Sequence, residues 1–208
     1  NYYFRPEPST STKTHEDFGL PQGNVYACLQ SQFKLHPDDD EVFGAILRRD
    51  PRGRLILLES HFPSWTEILR KRFEHSLGDV SDRIEFVKPQ APADFSRLLA
   101  AVDVLLDPLH FGGGDTSYQS FAVGAPVVTL PSGFLRGRIT YALYRTMGVD
   151  DLIAADASDY VERAVRLAND RDWREQVRAK ILGANHKIFE NPTGVRELEA
   201  FLGESVGT

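Results

Sequence analysis

The chain has 208 residues, 41% of them hydrophobic and 26% charged, with a formal net charge of −6 at pH 7; these are the proportions of a soluble globular protein of one large or two small domains. The negative balance argues against a broad nucleic-acid surface. No apolar run approaches the length of a membrane span and no signal-peptide pattern is present. The single cysteine, Cys28, excludes an internal disulfide and fits a reducing, cytoplasmic setting.

Residues 1–24 carry Pro6, Pro8, a Ser-Thr-Ser-Thr run from Ser9 to Thr12, then Gly19, Pro21 and Gly23, which predicts a linker or surface arm. From Val25 onward, short apolar runs alternate with amphipathic stretches. Strands are predicted at 25–29, 54–59, 84–87, 104–106 and 127–130, with a short sixth at 152–154. Helices are predicted at 39–49, 65–77, 94–102, 116–123, 138–147, 158–169 and 173–186, and a last one at 195–202. Asp38, Asp39 and Asp40 suit the start of the first helix. Continuous apolar strands, each followed by a helix, imply a parallel sheet covered on both faces, a doubly wound α/β domain over residues 25–190 with a C-terminal helix and tail at 191–208. Ligands in such sheets sit beyond the carboxyl ends of the strands. The loops there are 30–37, 60–64, 88–93, 108–115 and 131–137.

Within the fourth of these, Phe111-Gly112-Gly113-Gly114-Asp115-Thr116-Ser117 runs from a buried strand into a helix start. Three glycines allow a close backbone approach to a ligand, and the helix beyond them offers free N–H groups and a positive dipole end, together a seat for a diphosphate. Thr116 and Ser117 can add hydroxyls there, or Asp115 or Thr116 can simply cap the helix. Gln119, one turn on, can reach a ribose hydroxyl or lie on the surface. Lys34, in the loop after the first strand, can offset the charge of a leaving diphosphate, or be an ordinary solvated lysine. His110 can contact sugar or phosphate, and Ala91 leaves room for a flat base. Arg136 and Arg138 face the phosphates or serve packing. No set of residues at metal-ligand spacing is visible, so stabilisation of a departing diphosphate would fall to side chains and the helix dipole, without a metal cofactor.

These stretches, taken in order, carry a resemblance. The segments Gln30-Ser31-Gln32-Phe33-Lys34-Leu35-His36-Pro37, Leu106-Asp107-Pro108-Leu109-His110-Phe111-Gly112-Gly113-Gly114, Gly124-Ala125-Pro126-Val127-Val128-Thr129-Leu130-Pro131 and Arg136-Gly137-Arg138 resemble the O-GlcNAc transferase / SPINDLY family, closest to its bacterial members with tetratricopeptide repeats. The resemblance runs from about Gly19 to Leu202. It implies the C-terminal, Rossmann-like half of a GT-B catalytic region, which binds the sugar nucleotide of an inverting protein O-glycosyltransferase. The donor would be UDP-GlcNAc, or GDP-fucose as the SPINDLY branch suggests, and the acceptor a protein Ser or Thr.

By the same resemblance, Lys34 would be the catalytic diphosphate-binding lysine, and Ala91 would fall in the base-reading loop. Gln32, His110, Gly113, Gly114, Asp115, Thr116, Ser117 and Gln119 would line the donor site. Asp115 stands where the family tends to have Asn or His, and Gln119 where related bacterial sequences tend to have a carboxylate. A two-domain GT-B unit takes roughly 350 residues or more. The acceptor-binding half is therefore expected outside this chain, which alone would bind nucleotide weakly and transfer no sugar. A non-catalytic nucleotide-binding or interaction module is the main alternative, and a sugar-nucleotide epimerase a more distant one.

Overall fold

The apolar runs become five parallel strands: β1 (Asn24–Cys28), β2 (Gly53–Leu58), β3 (Ile84–Val87), β4 (Val104–Leu106) and β5 (Val127–Val128). The computed structural model, which describes residues 3–206, hydrogen-bonds them in the order β3-β2-β1-β4-β5. Tyr26 on β1 lies opposite Leu55 on β2 and Val104 on β4. Helices shield both faces, so strand residues of either parity are buried, with Tyr26, Ala27 and Cys28 at 0% exposure.

The helices are α1 (Pro37–Arg49), α2 (Pro63–Ser76), α3 (Pro92–Ala101), α4 (Asp115–Ala122), α5 (Ile139–Met147), α6 (Ala157–Asn169), α7 (Arg171–Ala184) and α8 (Thr193–Val206). α1 packs on α6, and α3 on α4. α1, α2 and α3 each start on a proline, two residues ahead of the predicted helix starts at 39, 65 and 94. Proline at the first helical position has its φ preset and loses no hydrogen bond there. His36 caps α1, and the Asp39 side chain returns to the His36 N–H, a capping box.

The sheet departs from expectation at its far edge. β5 stops at Val128, and the expected sixth strand at 152–154 is reduced to a single parallel bridge between Thr129 and Ile153. One bridging pair does not sustain a ladder. The arm from residue 3 to 23 has neither helix nor strand. Its later part nevertheless belongs to the interior, since Phe18 and Leu20 are buried in the main core; residues 1 and 2 of the expected arm and 207–208 of the expected tail lie outside the described residues.

The strand order places β1 and β4 side by side, while their following helices lead to opposite halves of the sheet. That is the switch point of a doubly wound fold. The loop after β1 and the loop after β4 therefore flank one crevice.

Candidate functional site

Lys34 ends a 3-10 turn (Gln32–Lys34) that follows β1. Its ammonium donates to Gln30 Oε1 at 2.9 Å and to the carbonyl of Gly112 at 3.1 Å. It lies 4.8 Å from the centre of the Phe111 ring. Burial lowers the Lys34 pKa, and the nearby Asp107 opposes that effect. A cation and the glycine loop thus meet at the mouth of the β1/β4 crevice.

The glycine loop is shaped from beneath. Asp107, at the end of β4 and 4% exposed, accepts the Gly113 N–H at 2.6 Å and the Thr129 hydroxyl at 2.8 Å. Burial pushes its carboxyl up, and these hydrogen bonds pull it part of the way back. None of Gly112, Gly113 or Gly114 has positive φ. The first two are needed for space. A Cβ on Gly112 would lie 2.8 Å from both Asp107 carboxylate oxygens, and one on Gly113 would lie 2.3 Å from Ser117 Oγ and 3.1 Å from Gln30 Nε2. The close approach is to the protein's own polar atoms.

A second buried carboxylate joins the two loops. Asp39 accepts the His36 N–H at 2.7 Å and the Leu109 N–H at 2.9 Å. Burial raises its pKa, against the pull of those two bonds. Arg136 adds a third tie: its carbonyl accepts the Gly112 N–H at 2.9 Å, and its side chain donates to the His110 carbonyl at 3.1 Å.

The remaining sequence candidates fall into place unevenly. Gly114 caps α4, whose first turn holds Asp115, Thr116 and Ser117. The Ser117 N–H donates to the Gly114 carbonyl at 3.1 Å, while the N–H groups of Asp115 and Thr116 have no carbonyl one turn back to pair with. Ser117 offers no hydroxyl to a ligand, because it sits at the third helical position, is buried, and shares a 2.8 Å hydrogen bond with Thr140. Gln32 turns away from the crevice. Its amide donates at 2.9 Å both to the Leu58 carbonyl and to Thr66 Oγ1, tying the turn to the end of β2 and the start of α2. Gln30, buried and beside Lys34, occupies the position that Gln32 was expected to fill. Gln119 Nε2 donates to Asp115 at 2.9 Å. Ala91 caps α3 in the loop that follows the edge strand β3, its carbonyl accepting the Phe95 N–H. Arg138 donates to the Ser132 carbonyl and lies over the Tyr141 ring.

His110 Nε2 is 2.7 Å from an Asp38 carboxylate oxygen, and its ring meets His36 edge-on at 4.4 Å. The hydrogen bond to His110 holds the Asp38 carboxyl below the usual range. Donor atoms of His36, Asp38 and His110 lie within 4.8 Å of one another. Local spacing had suggested no such group; it forms because two loops distant in sequence converge.

A sheet of this order with helices on both faces and a cationic, amide-rich edge at the switch point defines the class. The fold is that of a domain of the GT-B glycosyltransferases. Anabaena HepE, solved with UDP and glucose, superposes with a TM-score of 0.65 at 14% identity, over 91% of this chain and 51% of that one. The chain belongs to glycosyl transferase family 41, whose profile matches residues 6–192. A variant of the Thermobaculum terrenum O-GlcNAc transferase gives a TM-score of 0.76 at 26% identity, over 86% of this chain and 35% of that one. The UDP-N-acetylglucosamine–peptide N-acetylglucosaminyltransferase of Caenorhabditis elegans is 28% identical over 90% of this chain and 16% of its own length. The probable Arabidopsis thaliana enzyme SEC is 27% identical over 93% and 20%. The chain thus spans a fifth or less of those two relatives. Among the described residues, no helix is long and apolar enough to cross a membrane.

Proposed function

We infer that this chain is the donor-binding domain of a protein O-glycosyltransferase and that it holds UDP-GlcNAc at the β1/β4 crevice. The observation that carries this reading is the meeting of Lys34 with the glycine loop, through the 3.1 Å contact to the Gly112 carbonyl. A diphosphate entering there exchanges that neutral acceptor for a dianionic one, and the ammonium gains a stronger, charge-assisted partner. The first-turn amides of α4 face the same anion with the positive end of the helix dipole.

In an inverting transfer, the acceptor hydroxyl attacks the anomeric carbon as the bond to the diphosphate breaks. Negative charge then grows on the β-phosphate, and Lys34 and the α4 amides are the groups of this chain placed to stabilise it. This assignment needs no metal cofactor. The base, the protein acceptor and the other wall of the cleft come from the N-terminal catalytic half, so the isolated chain binds donor without transferring sugar. The reading places the enzyme in the cytoplasm.

One observation favours a second reading, a nucleotide-binding module without catalysis: a carboxylate, Asp115, opens the helix that would receive the diphosphate. A thermal-shift and calorimetry panel of UDP, GDP, UDP-GlcNAc and GDP-fucose tests both, because a ligand of the native state raises its melting temperature. UDP and UDP-GlcNAc are expected to bind. Selective binding of GDP and GDP-fucose reassigns the donor, and no binding by any of the four overturns the donor-site reading.

A further inference from the structure

The carboxylate at the start of α4 is not left to face the crevice alone. Its Oδ2 accepts from Gln119 Nε2 at 2.9 Å, and its Oδ1 accepts the phenol of Tyr3, a residue of the arm far away in sequence. The arm is fixed where it makes this contact. The Tyr3 ring stacks on Tyr118, one turn into α4, with centroids 4.2 Å apart and planes within 7°. The Tyr3 carbonyl accepts the Glu190 N–H at 2.8 Å. Two residues further on, Arg5 donates to Asn185 and covers the Phe189 ring.

We propose that Tyr3 is a positioning residue of the donor site, and that its phenol holds the Asp115 carboxylate in a hydrogen-bonded clasp with Gln119 so that the start of α4 can accept a diphosphate. The proposal rests on the donor-site reading above. The physical argument is one of competing anions. A free carboxylate in the first turn of a helix is attracted to the same N–H groups and dipole that a phosphate would use, and it repels the phosphate. Donors on both of its oxygens spread its charge and fix its rotamer away from that role. Burial, with the Asp115 hydrogen bond second, pushes the Tyr3 pKa up to about 12; the phenol therefore stays a donor throughout the physiological range.

The test is a double-mutant cycle on the 208-residue chain, read as UDP affinity by calorimetry, or GDP affinity if the panel selects it. Tyr3→Phe keeps the ring stack and removes only the hydroxyl. It is expected to weaken binding roughly tenfold, the scale of one hydrogen bond to a charged group. Asp115→Asn removes the charge that needs restraining and should bind at least as tightly as the parent. The double variant Tyr3→Phe/Asp115→Asn should match Asp115→Asn, because no charge remains to be restrained. A merely structural role for the arm predicts instead that the double variant keeps the full loss of Tyr3→Phe, and that outcome overturns the proposal. Equal affinity of Tyr3→Phe and parent overturns it as well, while leaving the donor site standing. A parent chain that binds neither nucleotide removes the donor-site reading and the clasp together.

Discussion

The backbone N–H of Leu109 donates to the Asp39 carboxylate at 2.9 Å, and through that bond the first turn of α1 holds the loop that follows β4. The other Asp39 oxygen takes the His36 N–H, so one buried side chain fixes both walls of the crevice. Asp39→Ala leaves two N–H groups without acceptors and is expected to cost about 2 kcal/mol or more. Asp39→Asn can satisfy only one of the two, because its NH2 group faces a donor, and should fall between. Urea unfolding midpoints rank the three proteins.

Lys34 carries the anion reading, and its lowered pKa gives that reading a pH signature. The ammonium is lost at a lower pH than in an ordinary lysine, so UDP affinity should fall as pH rises through that depressed value. A bound diphosphate favours the charged form, and binding on the alkaline side should therefore take up a proton. Lys34→Arg stays charged throughout and should flatten the profile, while Lys34→Ala should weaken binding at least about tenfold at neutral pH. Calorimetry in buffers of different ionisation enthalpy measures both. Unchanged affinity in Lys34→Ala removes Lys34 from the site.

Gly113→Ala places a methyl group 2.3 Å from Ser117 Oγ and 3.1 Å from Gln30 Nε2. Relief requires moving the loop or breaking the Ser117–Thr140 pair. The variant should fold with a lowered melting temperature and lose UDP binding. Gly114→Ala, whose methyl would meet only Ile139 Cδ1 at 3.8 Å, serves as the control and should lose far less.

Asp107 separates a need for shape from a need for charge. Its carboxyl is raised by burial, so the folded protein holds that proton more tightly than the unfolded chain. The associated stability is present at acid pH and is lost as pH rises from the ordinary carboxylate range through the raised value. Asp107→Asn can still accept from Gly113 and can donate to Thr129, does not titrate, and should remove this part of the pH slope. Asp107→Ala strands the Gly113 N–H and the Thr129 hydroxyl and should cost about 2 kcal/mol or more. Thermal melts of the three proteins across the acid range decide between them.

The order of strands and helices is legible in the chain because each parallel strand is one apolar run and each helix one amphipathic period. The helix starts are less so, since Pro37, Pro63 and Pro92 begin their helices ahead of the first apolar residue. Lys34 and the glycine loop are legible as well: strand ends followed by such residues point to the crevice. Gln30, Asp39 and Asp107 are not. Asp39 meets Leu109 across 70 residues of sequence, and a buried carboxylate that ties one loop to another leaves no local pattern. Tyr3 is the extreme case, with its partner Asp115 112 residues away in a segment whose composition reads only as linker.

Cys28 closes β1 with no exposed surface. Burial, with Asp39 and Asp107 adding to it, drives its thiol well above the ordinary value, and reactivity follows the thiolate. As the only cysteine of the chain, it leaves the protein silent towards maleimides and spin labels. A cysteine introduced on an exposed ring position such as Phe33 or Phe134 would then be the single point of attachment, and donor binding could be followed by fluorescence without first stripping out the native sulfur.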